Sequence, residues 1–419
     1  MNSHRKFQPD WVDKKPPYRS FRSIFKWGQQ DTFKHPGKGF FTVIKKELDL
    51  KDTDFFAPSH LGGERIKDNG KINISKSLAA RFEAVVGKEN ISINTYDRVK
   101  YSSGKSMEEI LELRFKKIND ICDIVVHPRH KKDVQDIIEL CHENHIPVHV
   151  YGGGSSVTLG LTCPKGGVTL VLNTHMNQVV AFNEINQTIT IQAGMMGPDY
   201  ERVLNKAPEK FNASRPYTGG HFPQSFEHSS VDGWVVTLGS DQASSLYGNA
   251  YDMVISQEYV TPAGTIKTHE YPSCATGPKI NDMIKGSEGC FGVLVAATMK
   301  IFPYYPRYNR PFTFMFPGFK AAVSAGRRIS QSGSGMPAIL RVSDPEETDV
   351  ALKIYGLDNG FFEKFLQFKN LYPKKRCLVM GQCQGPKAFT RHVFKQVKKQ
   401  CRRKKGMYLT GYPMTIPSA

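Results

Sequence analysis

Three consecutive glycines, Gly152 to Gly154, lie one residue after a largely apolar segment, Ile146 to Val150, whose composition predicts a β-strand. Without Cβ atoms the backbone can turn tightly there, and its N–H groups can converge on an anion such as a pyrophosphate. Ser155 and Ser156 follow and add hydroxyl donors. The run is neither a P-loop, because no Gly-Lys-Ser/Thr follows, nor a Rossmann G-x-G-x-x-G motif. By itself it leaves an anion-binding loop and a simple tight turn equally open.

Regular elements surround the glycine run. Short apolar stretches indicate strands, and a period of about 3.6 residues indicates amphipathic helices. The predicted strands are 123–128, 146–150, 168–172, 179–182, 188–191, 253–261, 265–268 and 293–302, and the predicted helices are 77–86, 106–115, 132–143 and 321–330. Hydrophobic residues are 39% of the chain, enough for a packed core, and no run of about 18 apolar residues predicts a transmembrane helix.

Two further segments combine glycine with small hydroxyl residues. The first, Ser225 to Thr237, carries Ser229, Ser230 and Trp234, which suits a backbone that lies close to a flat ligand. The alternative is an ordinary polar loop with a buried tryptophan. The second, Gly286 to Val293, has three glycines in seven residues and leads into a predicted strand. Its alternative is a glycine-rich connection without a ligand.

In this order and at this spacing, the three segments resemble the FAD-binding half of the vanillyl-alcohol-oxidase/p-cresol-methylhydroxylase superfamily, and within it the alkyldihydroxyacetone-phosphate synthase family. That family reads P-x-G-G-G-T-S-V, S-x-E-F-S-T-V-G-G-W and G-S-E-G-T-L-G-V where this chain has residues 150–157, 225–234 and 286–293. Shorter matches are Tyr247-Gly248-Asn249, residues 260–264 and Thr276-Gly277-Pro278. The resemblance spans roughly Tyr96 to Pro303, with weaker hints at Lys26-Trp27-Gly28 and residues 340–344.

The resemblance implies an α+β fold, with a two-subdomain FAD-binding domain of the p-cresol-methylhydroxylase type followed by the start of an α+β cap domain. The expected units are an N-terminal extension and helical region, 1–115, the FAD-binding domain, 116–303, and a partial cap (substrate) domain with a basic C-terminal segment, 304–419. FAD is expected to be non-covalent, because the glycine loop contains no histidine to tether it. The implied cofactor-binding residues are Gly152, Gly153, Gly154, Ser155, Ser156, Val157, Ser225, Glu227, Ser229, Ser230, Gly233, Trp234, Thr237, Gly286, Ser287, Glu288, Gly289, Gly292 and Val293.

Three functions follow from the resemblance. The first is the synthase reaction of ether-lipid synthesis, in which the acyl group of acyl-dihydroxyacetone phosphate is exchanged for a long-chain alcohol. The second is an FAD-linked dehydrogenase or oxidase that acts on a 2-hydroxy acid. The third is an FAD-binding remnant without turnover. Arg341 is the candidate for the substrate phosphate, because a guanidinium grips such a group bidentately, and its alternative is an ion pair beside Asp344.

Some residues depart from the family pattern. Asp232 replaces a glycine expected beside the flavin, where its carboxylate would repel a reduced, anionic flavin unless it points away. Leu238 and Ala263 stand where the family has arginine. The family's catalytic tyrosine and its run of three histidines have no counterpart before Ala419, so the catalytic residues stay unassigned and a fragment, a shortened product or a diverged paralogue stays open.

Charge and cysteine usage bear on partners and location. The net charge is +18, and residues 373–419 hold twelve Lys and Arg and no Asp or Glu, which favours an anionic membrane surface, a phosphorylated substrate or a solvated helix face. No nucleic-acid motif accompanies the block, so no nucleic-acid partner is expected, and a homodimer stays open.

Eight scattered cysteines and no signal sequence favour an intracellular protein, peroxisomal if the resemblance to the eukaryotic synthase holds and otherwise cytoplasmic. His142, His145 and His149 cannot share one face, so no metal site is predicted.

Overall fold

A computed structural model describes residues 15–25, 38–55, 60–67, 71–271 and 273–410. The Lys26-Trp27-Gly28 hint lies outside them. Within these ranges the helices are α1 Phe21–Phe25, α2 Lys38–Glu47, α3 Lys76–Val86, α4 Thr95–Lys100, α5 Met107–Arg114, α6 Lys131–Glu143, α7 Gly197–Asn205, α8 Ala207–Phe211, α9 Val231–Val236, α10 Ser244–Tyr247, α11 Ala250–Met253, α12 Ile280–Ile284, α13 Phe319–Ser330, α14 Pro345–Ile354, α15 Gly360–Phe368 and α16 Lys387–Arg403. The strands are β1 Ile91–Ser92, β2 Ile124–Val126, β3 Val148–Tyr151, β4 Val168–Val171, β5 Val179–Asn183, β6 Thr188–Gln192, β7 Tyr217–Thr218, β8 Val254–Thr261, β9 Gly264–Lys267, β10 Val293–Lys300, β11 Phe302–Pro303, β12 Arg310–Phe316, β13 Ile339–Ser343, β14 Cys377–Cys383 and β15 Met407–Thr410.

The first sheet has the strand order β1-β2-β4-β3, with β2, β4 and β3 parallel and β1 antiparallel to β2. Parallel strands need a crossover connection, and α6 supplies the one from β2 to β3. Its buried stripe is Val134, Ile137, Ile138 and Cys141. The glycine run begins where β3 ends, at Tyr151, on the edge of this sheet. The sheet therefore presents the glycine backbone at an open strand end.

The second sheet is antiparallel, in the order β5-β6-β10-β8-β9. Side chains of both sheets meet in one core, in which Leu170 and Ile191 are fully buried. Phe82 and Val86 of α3 belong to the same core, although α3 and β1 precede the predicted boundary at residue 116. The two sheets correspond to the two expected subdomains.

A third sheet, β13-β14-β12-β15, has a core of its own, with α13 and α16 on one face. Phe312, Phe314 and Phe316 are fully buried there. Helix α10 contacts the chain that leads into β13, where Ser245 Oγ donates to the carbonyl oxygens of Pro337 and Ala338 at 2.9 and 2.7 Å. Helices and mixed sheets in this arrangement confirm the predicted α+β class.

The basic block of the C-terminal segment lies largely on α16. Val393, Val397 and Cys401 point into the core, whereas Lys395 and Lys399 are exposed on the opposite side. The charge is thus carried by the solvated face of an amphipathic helix. No helix in the described ranges is both long enough and apolar enough to cross a membrane.

Candidate cofactor site

Each glycine of the 152–154 run has its own structural reason. A Cβ on Gly153 would overlap the carbonyl oxygen of His228, and a Cβ on Gly152 would overlap the side chains of Ser230 and Asp232. Gly154 has a φ of +71°, and a Cβ there would overlap the Tyr151 hydroxyl. The run therefore packs directly against the second glycine-containing segment, which brings the first two predicted segments together.

The outer side of this loop has unsatisfied donors. No described residue accepts a hydrogen bond from the backbone N–H groups of residues 153–157. Ser156 Oγ accepts from the N–H of Gly160 at 3.0 Å and so fixes the turn that follows. Backbone donors left unpaired beside glycine are the arrangement that a pyrophosphate needs.

The second segment folds into a single 3₁₀ turn, Phe226–His228, followed by α9. The N–H groups of Val231 and Asp232 both donate at 2.9 Å to the chain that leaves β6, at Met195 and Ala193. This double anchor fixes α9 against the second sheet.

Side chains of the segment itself hold it in place. Ser229 Oγ accepts from Trp234 Nε1 at 2.8 Å, and Thr237 Oγ1 donates to the carbonyl oxygen of Gly233 at 2.6 Å. Ser225 is half-buried, whereas Glu227 is exposed. Ser229, Trp234 and Thr237 thus shape the local backbone.

The third segment meets the opposite end of α9. The N–H of Gly286 donates to the carbonyl oxygen of Val235 at 3.1 Å, and the N–H of Glu288 donates to that of Val236 at 3.0 Å. A helix of six residues is roughly 9 Å long, so the glycine loop and the 286–293 segment lie at its two ends. Ser287 Oγ is buried there beside the Tyr259 hydroxyl. These residues fit FAD, because unpaired backbone donors lie at one end of α9 and a second glycine-containing segment lies at the other.

Asp232 does not point away from this site. Its side chain is 4% exposed and lies against the backbone of Gly152. The carboxylate accepts from Ser230 Oγ, and from the N–H of Gly233 at 2.7 Å. Burial raises the pKa of Asp232 to about 6. A carboxylate thus sits beneath the loop that carries the unpaired donors.

Sequence reasoning missed His221. The side chain is 2% exposed, its ring lies 4.8 Å from that of Trp234, and neither ring nitrogen forms a hydrogen bond within the described residues. Nδ1 is 3.7 Å from Asp241 Oδ2, and burial lowers the pKa of the imidazole. Gly219 and Gly220 precede His221 and permit close packing at this point. This glycine pair was the one sequence feature that could have indicated a tightly packed histidine.

Arg341 lies on β13, in the third sheet. Its guanidinium donates to Glu347, and half of its side chain is exposed. The sequence-based alternative was an ion pair between Arg341 and Asp344. Asp344 instead caps α14, where its Oδ1 accepts a hydrogen bond from the N–H of Glu347 at 2.7 Å. Leu238, at a family arginine position, packs beneath Gly286. No group of three or more His, Cys, Asp or Glu side chains in the described chain is arranged to hold a metal ion.

Comparisons with known proteins agree with this geometry. The family described as "FAD binding domain" matches residues 122–269. A solved alkyldihydroxyacetonephosphate synthase is similar at a TM-score of 0.76 and 26% identity, covering 90% of this chain and 68% of that one. The alkyldihydroxyacetonephosphate synthase of Caenorhabditis elegans is 34% identical over 343 residues, 77% of this chain and 55% of that protein.

The chain is an FAD-binding protein similar to alkyldihydroxyacetonephosphate synthase. Solved p-cresol methylhydroxylase shares the fold at a TM-score of 0.59 and 15% identity, covering 82% of this chain and 68% of that one. A mitochondrial D-lactate dehydrogenase of Saccharomyces cerevisiae is 28% identical over 220 residues, 52% of this chain and 36% of that protein. This FAD-binding chain spans about half the length of the curated synthases that it matches.

Proposed function

We propose that this chain supplies the FAD-binding part of an alkyldihydroxyacetone-phosphate synthase. The observation that carries the proposal is the meeting of the glycine loop and the 286–293 segment at the two ends of α9, together with the likeness to synthases over most of the chain. Bound FAD would supply a ring system that accepts and returns electrons, which side chains cannot do.

The roles of the chain's own residues follow from their contacts. The N–H groups of residues 153–157 bind the pyrophosphate. Trp234, 3% exposed and fixed by Ser229, excludes water from the helix that joins the glycine loop to the 286–293 segment. These residues bind and orient, and the proposal assigns no proton transfer to them.

The test is a transfer assay on the purified chain supplied with FAD. Acyl-dihydroxyacetone phosphate and a labelled long-chain alcohol should yield labelled alkyl-dihydroxyacetone phosphate and free fatty acid. Bleaching of the flavin absorbance by D-lactate or glycolate would instead support the 2-hydroxy-acid dehydrogenase, which the yeast relative favours as second candidate. Bound FAD without turnover on either substrate would leave the remnant.

Arg341 stays our proposed contact for the substrate phosphate. Because it donates to Glu347, phosphate binding would require it to exchange that carboxylate for the substrate. We expect Arg341→Ala to raise the KM for the phosphorylated substrate about tenfold, the loss of one charge-assisted contact, with unchanged FAD affinity. Arg327→Ala, an exposed arginine on α13, is the matched control. An unchanged KM in Arg341→Ala would remove this residue from the site.

A peripheral contact with anionic membranes is also proposed, and α15 supports it. Phe361 and Phe368 are 87% and 80% exposed, and the Lys369 ammonium lies 5.4 Å from the Phe368 ring. Exposed aromatic rings beside lysines suit the interface of an anionic bilayer. If the host has peroxisomes, that membrane would be the peroxisomal one.

Vesicle sedimentation tests this contact. The wild-type chain should sediment with vesicles that contain phosphatidylserine and less with vesicles of phosphatidylcholine alone. Replacing Phe361 and Phe368 together by serine should reduce binding at least tenfold, because two exposed anchors are lost. Ile185→Ser, at a 93% exposed apolar residue outside α15, is the control. Equal binding of the double variant and the wild type would exclude α15 as the contact.

A further inference from the structure

Asp232 is a buried carboxylate without a cation. Its two donors, the Ser230 hydroxyl and the N–H of Gly233, are both neutral. Within the described residues no Lys, Arg or His forms an ion pair with it. Burying a charge without an opposite charge beside it costs free energy. The surroundings of Asp232 therefore favour the neutral, protonated carboxyl over the carboxylate.

The position of Asp232 makes this charge matter for the cofactor. The carboxylate lies against Gly152, the residue that opens the loop with the unpaired N–H groups. Asp232 accepts no hydrogen bond from that loop, so the loop's donors are left for another anion. A pyrophosphate on those donors would add negative charge beside a poorly solvated carboxylate, and two like charges in such a place disfavour each other.

The groups that face Asp232 do not offset this repulsion. Gly152 and Ala193, which pack on two sides of it, have no titratable side chain. From β8, Tyr259 faces it; burial raises the pKa of Tyr259, and the charge on Asp232 adds to the rise, so the phenol stays neutral. From the 3₁₀ turn, the backbone carbonyl of His228 approaches the neighbouring Gly153. Protonation of Asp232 would therefore remove the repulsion between its carboxylate and a bound pyrophosphate.

We propose that binding of FAD to this chain is coupled to the uptake of one proton by the Asp232 carboxyl, so that the affinity for FAD rises as the pH falls. The proposal rests on the FAD site and not on the transfer reaction. Burial already places the pKa of this carboxyl at about 6, and a bound anion moves it higher. Above the pKa of the free protein, each pH unit then weakens FAD binding up to tenfold, until the pKa of the complex is passed.

The test is a titration of the FAD-free protein with FAD from about pH 5 to about pH 8, followed by quenching of flavin fluorescence. The dissociation constant should be flat near pH 5 and should rise about tenfold per pH unit above about pH 6. Asp232→Asn should remove the dependence and keep the tight, low-pH affinity throughout. Asp199→Asn, an exposed carboxylate on α7, is the matched control and should retain the wild-type dependence.

Calorimetry of the wild type in two buffers of different ionisation enthalpy provides a measurement that needs no variant. It should report an uptake approaching one proton for each FAD bound near pH 7. A pH-independent affinity in the wild type, no proton uptake, or an unchanged slope in a folded Asp232→Asn would each overturn the proposal. FAD binding too weak to measure at every pH would overturn it as well.

Discussion

The glycine loop and the 286–293 segment have similar compositions but use glycine for different physical reasons. At Gly152 and Gly153 the backbone touches another segment, and a Cβ would occupy the space of existing atoms. At Gly289 nothing lies within 4 Å of a Cβ, and the residue is needed because its φ is +90°. Glycine content alone therefore does not distinguish a close approach between chains from a left-handed turn, and the two should respond differently to substitution.

Gly153→Ala should have the largest effect on this pair of segments. The added methyl overlaps the carbonyl of His228, and backbone on both sides leaves little room to relax. We expect a loss of about 3 kcal/mol in the free energy of unfolding, the upper range for overpacking, and at least tenfold weaker FAD binding. Urea unfolding and FAD titration measure the two effects. A variant with wild-type stability would show that the two segments do not touch.

Asp232→Asn tests the contact between Gly152 and α9 in another way, because it removes the charge of the side chain without changing the side chain's shape. The folded-state pKa of Asp232 is raised to about 6 from its ordinary 3.8, so the ionised carboxylate disfavours folding. The penalty is absent below about pH 4, grows as the pH rises, and is complete above about pH 6, where two pKa units correspond to about 3 kcal/mol.

Urea unfolding of the FAD-free protein at several pH values measures this effect. The asparagine variant should be more stable than the wild type near pH 8, and the difference should vanish near pH 4. A wild type that is equally stable at both values would mean that Asp232 is solvated.

Gly289→Ala should have the smallest effect. The strain of a left-handed alanine costs about 1 kcal/mol, and no atom blocks the methyl group. FAD affinity should stay within about fivefold of the wild type, since about 1 kcal/mol corresponds to a factor of about five. A loss as large as that of Gly153→Ala would mean that the 286–293 backbone also touches a ligand or another chain.

The sequence predicted the elements that have strong periodicity. Helix 132–143 and the strands at 168–172 and 253–261 lie within one or two residues of α6, β4 and β8, because a buried stripe or a continuous apolar run sets them. It did not predict β1, whose two residues carry no pattern of their own and are ordered by pairing with β2. Helix α9 was missed as a helix because Val231, Gly233 and Val236 are poor helix formers, and its anchors on Met195 and Ala193 are tertiary.

For the site, the sequence singled out three glycine-containing segments, since backbone freedom is visible in composition, and the structure brings them together around α9. The direction of the Asp232 carboxylate was not predictable, because it depends on which atoms of the glycine loop pack against α9. His221 was missed because a single histidine between glycine and phenylalanine has no pattern, and its burial beside Trp234 is created by the fold. Whether the predicted residues contact FAD stays a prediction.

Helix α9 is short, and both of its ends are committed, one to Gly152 and one to Gly286 and Glu288. Each residue added to an α-helix turns its far end by roughly 100° and lengthens it by about 1.5 Å. A one-residue insertion or deletion between Val231 and Val236 would thus change the position and orientation of the 286–293 segment relative to the glycine loop. The number of residues in α9 sets the distance between these two segments. We therefore expect insertions and deletions among related chains to be confined to the loops outside this helix.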